Sequence, residues 1–387
     1  MQPLDLPKAP ARRQDAATCC GASSAPLSSR HPDDALPPPW VVGEQQTPLG
    51  QVPRISTVLT RADWLGAIRS RISAFRMAYR VSAGLYAVGS PGANAEVFVS
   101  ANYKLSFDEL RRHLAGLDAW VLVLDTRGIN VWCAAGKGTF GTEELVRRVQ
   151  ATGLAGLVSH RRLILPQLAA PGVKAREVKA RTGFIAQFGP VRAADIPAYL
   201  AAGCRKTPAM ATVHFPWRDR LVLTPMEILP AMKLFPLYGL AVLLVFGLQP
   251  QGILFAAAWS GGWPFLLLGA ATIGAGAFLA PMLLPLLPFR SFAVKGWLAG
   301  LATAVATGTL LGERLTPHPA LSVVVYLLYP LLASYITLQF TGSTTFTHMS
   351  GVKKELRYAL PVYLGGAALS ALLLGTFKLA EWGIWSS

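Results

Sequence analysis

The chain has 387 residues and a formal net charge of +16, yet only 14% of its residues are charged and 52% are hydrophobic. That pairing argues against a nucleic-acid-binding protein, whose basic residues crowd one surface, and suits a membrane protein with basic residues on its cytoplasmic side. The four cysteines, Cys19, Cys20, Cys133 and Cys204, include no Cys-x-x-Cys pair, so neither a zinc ribbon nor a self-contained iron–sulfur site is written here, and a reducing compartment fits.

Residues 1–52 are rich in Pro, Ala, Ser and Gln and lack apolar periodicity, which predicts a disordered tail without the apolar core of a secretory signal. Residues 53–220 alternate short apolar runs with amphipathic ones. Residues 96–100 read as a strand and 106–115 as a helix with Ser106 as its N-cap. Residues 120–125 read as a second strand and 142–151 as a helix led by Glu143 and Glu144. The alternation continues through residues 163–165, 174–180, 184–188 and 193–202. It predicts a parallel, Rossmann-like α/β sheet with ligand sites at the strand C-terminal ends.

A linker is expected at 221–231, then a transmembrane domain over 232–387. Five apolar segments, 232–248, 263–287, 294–311, 320–340 and 358–377, are expected to be helices crossing the bilayer. With five spans, Arg218, Arg220, Lys233, Arg290, Lys295, Lys353, Lys354 and Arg357 fall on one side, and the opposite loops hold little beyond Glu313 and Arg314. The positive-inside rule then puts the α/β domain in the cytoplasm and the C-terminus outside the inner membrane. Gly296 and Gly300 form a small-xxx-small motif for helix packing.

The most informative stretch is Asn130-Val131-Trp132-Cys133-Ala134-Ala135-Gly136-Lys137. Asn130 is placed to cap a short helix with Cys133 in its first turn, where free backbone N–H groups favour a thiolate. Trp132 is expected to pin that helix to the sheet. A cysteine so mounted suits nucleophilic attack or ligation of a soft metal centre. Two rivals are weaker. Gly136-Lys137-Gly138-Thr139 imitates part of a phosphate-binding loop, but the position that loop reserves for its first glycine is Val131. A cysteine hydrolase needs a histidine base, for which His160 and His214 are candidates that sequence does not place nearby. A buried structural cysteine is the plain alternative, although such a position does not need the neighbouring Asn, Trp, Gly and Lys.

The octapeptide 130–137 resembles the cap-helix signature of the corrinoid protein of the bacterial mercury-methylation pair (HgcA-like proteins). Residues 79–81 with 84–89, 97–104, 159–168, 189–192 with 195–197, and 341–346 with 350–355 resemble the same family, so the likeness spans roughly 53–387. A more distant resemblance is to the large subunit of the corrinoid iron–sulfur protein of the acetyl-CoA pathway. That subunit carries cluster-binding cysteines, for which this chain has no counterpart. The long Pro-rich tail with Cys19 and Cys20 departs from the family pattern.

The resemblance implies a cobalamin-type corrinoid whose cobalt is held from its lower face by Cys133. Asn130, Val131, Trp132, Ala134, Ala135, Gly136 and Lys137 would form the cap around that ligand. Ser100, Asn102, Gln167, Leu168, Ala169, Gly189 and Pro190 lie in segments that resemble corrinoid-contact loops. No Asp-x-His-x-x-Gly motif supplies a histidine lower ligand. The implied activity is a corrinoid-dependent methyltransferase that passes a methyl group from cobalt to inorganic Hg(II), giving methylmercury. A thiolate is a strong, soft donor and eases transfer toward a thiophilic acceptor. The implied partners are a ferredoxin-like protein with two four-iron four-sulfur clusters and a methyltetrahydrofolate-linked methyl donor, with no iron–sulfur cluster in this chain. A membrane-tethered corrinoid carrier for another acceptor, such as arsenic or a one-carbon pathway partner, is the alternative. A non-catalytic receptor with an α/β sensor domain is a third reading.

Overall fold

The computed structural model describes residues 38–343 and 349–384. Cys19 and Cys20 lie outside the described residues.

An antiparallel hairpin of β1 (Val41–Thr47) and β2 (Gly50–Ile55) comes first. The expected tail therefore gives way to structure before residue 52. The strand is hard to read because residues 43–46, Gly-Glu-Gln-Gln, carry no apolar alternation. Helix α1 (Arg61–Ile72) follows, closed at its start by a capping box between Thr60 and Asp63. Then come β3 (Gly84–Val88), β4 (Glu96–Ala101), α2 (Lys104–Arg112), β5 (Ala119–Leu124), α3 (Val131–Lys137), α4 (Thr142–Ala151), β6 (Arg162–Leu165), α5 (Ala175–Thr182), β7 (Ile185–Phe188) and α6 (Ile196–Ala201). Helix α2 starts at Lys104 rather than after Ser106, and its N-cap, Tyr103, makes no side-chain capping bond.

The seven strands form one sheet in the order β1-β2-β3-β5-β4-β6-β7. The expected all-parallel sheet is corrected to a mixed one. β5, β4, β6 and β7 run parallel, but β3 pairs with β5 antiparallel, with Gly84 opposite Val123 and Val88 opposite Ala119. Residues 89–95, which join β3 to β4, are too few for the helical crossover that parallel strands require. The chain instead turns back at Gly89, whose φ of +66° is open to glycine.

The sheet has a core on each face. On one, Leu145, Val146 and Val149 of α4, Val178 of α5 and Ala134 and Ala135 of α3 cover Val97, Val99, Trp120 and Leu122. On the other, Phe107 and Leu110 of α2 and Ile196 and Tyr199 of α6 cover Phe98, Val121 and Val123. From β4 the chain moves to β5 on one side. It then returns past β4 to β6 and on to β7. Connections diverge between β4 and β6, and the crevice of such a sheet opens above the C-terminal ends of the strands at that point.

A buried ion quartet ties α1 to α2. Lys104 Nζ lies 2.7 Å from Asp63 and 2.5 Å from Asp108, and Arg111 lies 2.8 Å from Asp63 and 2.7 Å from Asp108. Arg111 also donates to the carbonyls of Ser56 and Val58. Burial by itself would raise the Asp63 carboxyl. Hydrogen bonds from Lys104 and the Thr60 backbone, and the charges of Lys104 and Arg111, outweigh it and hold that group far below the usual carboxylate range.

Among the described residues, the C-terminal half contains five helical segments long and apolar enough to cross a membrane: Trp217–Gly247, Phe255–Met282, Phe292–Arg314, Pro319–Gln339 and Gly351–Glu381. The first opens with a short helix, Trp217–Leu223, and continues from Pro225. The expected linker at 221–231 is therefore mostly helical. Gly296 and Gly300 sit on the third segment against the fourth. A Cβ on Gly300 would lie 2.5 Å from Ala333 Cβ and 2.8 Å from Pro330 Cα, so the small-residue motif brings these two helices together. A π-helical turn at Ala275–Leu279 interrupts the second segment, and Thr337 Oγ1 donates to the carbonyl of Gly276 within it, at 2.9 Å. Glu355 caps the third segment by accepting from Ser291 Oγ (2.9 Å) and Ala293 N (3.1 Å). The two halves meet where α1 packs against the first segment and where Arg192 pairs with Asp219 at 3.1 Å.

Candidate functional site

The expected site residues converge on one edge of the sheet. Ser100 and Asn102 close β4, Cys133 follows β5, residues 167–169 follow β6, and Gly189 and Pro190 follow β7. All of them lie at the C-terminal ends of the four parallel strands.

The loop between β5 and α3 is built around Asn102. Its Oδ1 accepts from the backbone N–H of Thr126 (3.1 Å) and of Gly128 (2.9 Å) and sits 2.9 Å from the Thr126 hydroxyl. Its Nδ2 donates to Asp125 at 3.0 Å. Arg127 and Gly128 both take positive φ, 59° and 71°, which bends the chain sharply toward α3. Asn102 is buried, and its carbonyl oxygen is saturated by the loop. Its part in the site is therefore to position the segment that leads to the cysteine.

Helix α3 begins where the sequence predicts. Asn130 is its N-cap, with extended backbone, and its side chain accepts from Cys133 N at 2.8 Å. Cys133 thus occupies the third helical position, held by a backbone bond independent of its thiol. Gly138, at φ +79°, ends the helix in the left-handed conformation. Ala134 and Ala135 are buried in the sheet core, and Val131 packs against it. Gly172 comes so close that a Cβ there would lie 2.2 Å from the Phe140 carbonyl oxygen and 3.0 Å from Ala135 Cα. The small residues of α3 therefore serve close packing on the sheet. Trp132, expected to pin the helix, is only partly buried and stands outside that core, as does Cys133. Gly136, Lys137 and Gly138 are exposed.

The other expected residues divide by surroundings. Ser100 is buried, with its hydroxyl 3.4 Å from the Ala101 carbonyl. Gln167 accepts from Lys206, and its N–H reaches the Pro190 carbonyl at 3.5 Å. Leu168 is half-buried and Ala169 fully buried in a single 3-10 turn that touches α3. Gly189 donates to the Leu165 carbonyl at 2.7 Å, and a Cβ on it would meet Ile164 Cγ2 at 2.9 Å.

Sequence reading missed Tyr103. Burial pushes its phenol up, and the charge of Cys133 adds to that, whereas a hydrogen bond with Ser70 and the charges of Arg71 and Arg76 pull it down. Tyr103 thus feels both Cys133 and the basic residues Arg71 and Arg76. Tyr103 lies in the 97–104 stretch already singled out, but nothing in the sequence joins Ser70, Arg71 and Arg76 to that stretch.

The rivals fare poorly on geometry. The Gly136-Lys137 pair closes α3 instead of opening α4, whose N-cap is Gly141, so it does not offer the helix N-terminus a phosphate loop provides. His160 lies at the other edge of the sheet, with Nε2 2.9 Å from the Ala95 carbonyl oxygen and Nδ1 accepting from Arg162 N at 3.2 Å. A polar cleft of about 570 Å³ flanks the α4 side of the loop, lined by Asp125, Arg127, Thr139, Glu143, Arg147 and Arg181 among others. Its charges are largely paired, as in Arg181 with Glu143 at 2.5 Å. Among the described residues no three His, Cys, Asp or Glu side chains come together to hold a metal ion.

Comparison with known proteins adds a direction. Residues 73–200 match the family model described as CO dehydrogenase/acetyl-CoA synthase delta subunit. The chain is 33% identical over 122 residues to the acetyl-CoA decarbonylase/synthase complex subunit gamma of Methanopyrus kandleri, covering 31% of this chain and 26% of that one. It is 30% identical over 127 residues to the subunit gamma of Archaeoglobus fulgidus, covering 32% and 27%, and 32% identical over 111 residues to that of Methanocaldococcus jannaschii, covering 28% and 22%. The chain thus spans about a quarter of the length of these relatives.

Proposed function

We propose that this chain is a membrane-anchored, corrinoid-dependent methyltransferase in which Cys133 ligates cobalt and inorganic Hg(II) receives the methyl group. The observation that carries the reading is the mounting of Cys133. It stands at the third position of a helix capped by Asn130, at the C-terminal edge of four parallel strands. The matched region, 73–200, contains that whole edge and resembles the large subunit of the corrinoid iron–sulfur protein. The octapeptide 130–137 adds the resemblance to the mercury-methylating branch.

The residues present fit such a cofactor. A corrinoid would supply methyl-carrying cobalt chemistry when bound, and this chain would have to contribute a single ligand atom to it. Cys133 offers that single soft donor. Asn130 fixes its backbone and Asn102 fixes the loop before it, so the thiol is held without being enclosed. The thiolate's electron donation favours an electron-poor, thiophilic acceptor such as Hg(II). In this reading a ferredoxin-like partner with two four-iron four-sulfur clusters would supply electrons and a methyltetrahydrofolate-linked donor would supply methyl. The five apolar helices would anchor the chain in the inner membrane with the α/β domain in the cytoplasm.

The match to acetyl-CoA decarbonylase/synthase subunits favours a second reading, a membrane-tethered methyl carrier serving another acceptor. One experiment separates them. The purified full chain, loaded with methylcobalamin in the presence of the ferredoxin-like partner, is given Hg(II), arsenite or neither. Methylmercury formation that depends on Cys133 supports the main reading. Cofactor binding with transfer to arsenite alone supports the second. A chain that binds no corrinoid, judged by its visible spectrum, defeats both and favours a receptor.

A further inference from the structure

Helix α1 is built inside out. Its polar residues Asp63 and Ser70 are 7% and 1% exposed, whereas Trp64, Leu65, Ile68 and Ile72 are 54%, 66%, 55% and 48% exposed. The spacing of 64, 68 and 72, with 65 beside them, puts these four on one stripe. The inner face is fixed by chemistry: Asp63 belongs to the buried ion quartet, and Tyr79 packs so closely on Gly66 that a Cβ there would lie 2.3 Å from its hydroxyl. The apolar stripe therefore cannot rotate inward. Arg61, Arg69 and Arg71 flank it.

Continuity with the apolar helices identifies what covers the stripe. Helix α1 packs against the first of them, Pro225–Gly247. The short helix just ahead of that one, Trp217–Leu223, has the same character: Trp217, Leu221 and Val222 are exposed, and Arg218 lies 5.5 Å over the Trp217 ring. Tryptophan and arginine bordering aliphatic side chains is the composition of helices that lie in the headgroup layer.

We infer that α1 is an interfacial helix whose Trp64, Leu65, Ile68 and Ile72 are immersed in the surface of an anionic bilayer. This rests on the five apolar helices crossing the membrane and is independent of methyl transfer.

The test uses the full chain, one copy per nanodisc, in phosphatidylcholine with phosphatidylglycerol. A nitroxide is attached at Ile68→Cys in a background with all four native cysteines replaced by serine. A second chain carries the label at Lys174→Cys, an exposed position of the same domain. The Ile68 label is expected to be several-fold less accessible to a water-soluble nickel chelate and more accessible to oxygen than the Lys174 label. Wild-type and Trp64→Phe chains give a reading free of labels. In discs with lipid brominated near the headgroup, the wild type should lose more fluorescence than the variant. Equal nickel accessibility at the two labels overturns the inference, as does equal quenching of the two chains. Protection that appears only with two chains per disc, or only after a protein partner is added, overturns it too and assigns the stripe to that protein.

Discussion

Cys133 and Cys204 are the same functional group in one α/β domain, and the backbone holds them differently. Cys133 is the third residue of a capped helix at the C-terminal edge, anchored through its backbone and partly open. Cys204 lies just past α6, in a left-handed backbone conformation with φ +61°. Its N–H donates to the Tyr199 carbonyl at 2.9 Å and its own carbonyl accepts from Gln187 at 3.0 Å. Burial pushes the Cys204 thiol up and away from the thiolate, with Arg162 and Tyr199 opposing and Glu96 adding to the rise. Sulfur chemistry is therefore set by where the fold holds the atom. A cysteine on a capped helix outside the sheet core suits ligation, whereas a thiol pushed toward its neutral form suits packing.

Replacing each cysteine in turn is the sharpest test of that contrast. Cys133→Ala should remove nearly all methyl transfer, a loss beyond the roughly 10–100-fold typical of residues that only support a metal ligand. The thermal midpoint should hardly move, because the side chain lies outside the sheet core. Cys204→Ala should leave both transfer and the visible spectrum near wild type. Parallel assays of the two variants decide the matter, and equal losses would erase the distinction.

The frame that supports the Cys133 edge can be broken from behind. Removing one member of the buried ion quartet, as in Asp63→Ala, leaves Lys104 and Arg111 short of a partner and should cost about 3–5 kcal/mol in denaturant unfolding. The pH dependence has a definite sign. The Asp63 carboxyl is lower in the folded chain than in the unfolded one. Its contribution is therefore complete above the usual carboxylate range and drains away as pH falls below it. Wild type should lose stability on acidification more steeply than Asp63→Ala.

Asn102→Ala should act more locally. It strips the loop of its acceptor for Thr126 and Gly128, at a cost of about 1–3 kcal/mol, and should weaken cofactor retention more than it weakens the sheet. The matching change beneath Cys204, Gln187→Ala, should have no effect on cofactor retention by absorption spectroscopy. Asn130→Ala is the mildest change, about 0.5–2 kcal/mol for a lost N-cap. Asn130→Asp or Ser should restore most of the loss, and failure of both to rescue would mean that Asn130 acts by something other than capping.

Much of the Cys133 edge is legible in the sequence because its signals are local. Asn130 three residues ahead of Cys133 specifies the cap, and the apolar run of β5 specifies the strand before it. What escapes depends on distant partners. Lys104 joins α2 because Asp63 and Asp108 receive it, so the helix starts before Ser106. The reversal of β3 follows from the short 89–95 link and is invisible in strand composition. The close approach of Gly172 to Ala135 joins residues far apart in the chain, and no local signal names it. Helix α1 escapes because its outward stripe and inward Asp63 invert the usual amphipathic order.

The first apolar helix has a consequence for how this sequence drifts over evolutionary time. None of its most apolar stretch is buried within the chain, and Leu234, Leu237, Leu240 and Leu244 all face outward, whereas 56% of the corresponding stretch of Pro319–Gln339 is enclosed. A side chain bounded by fluid surroundings is constrained in polarity but hardly in shape. Across descendants of this sequence, positions 234, 237, 240 and 244 should exchange freely among Leu, Ile, Val, Phe and Met. Positions such as Ala333, wedged against Gly300, should stay small, so that substitution tolerance alone would sort the helices into outer and inner members.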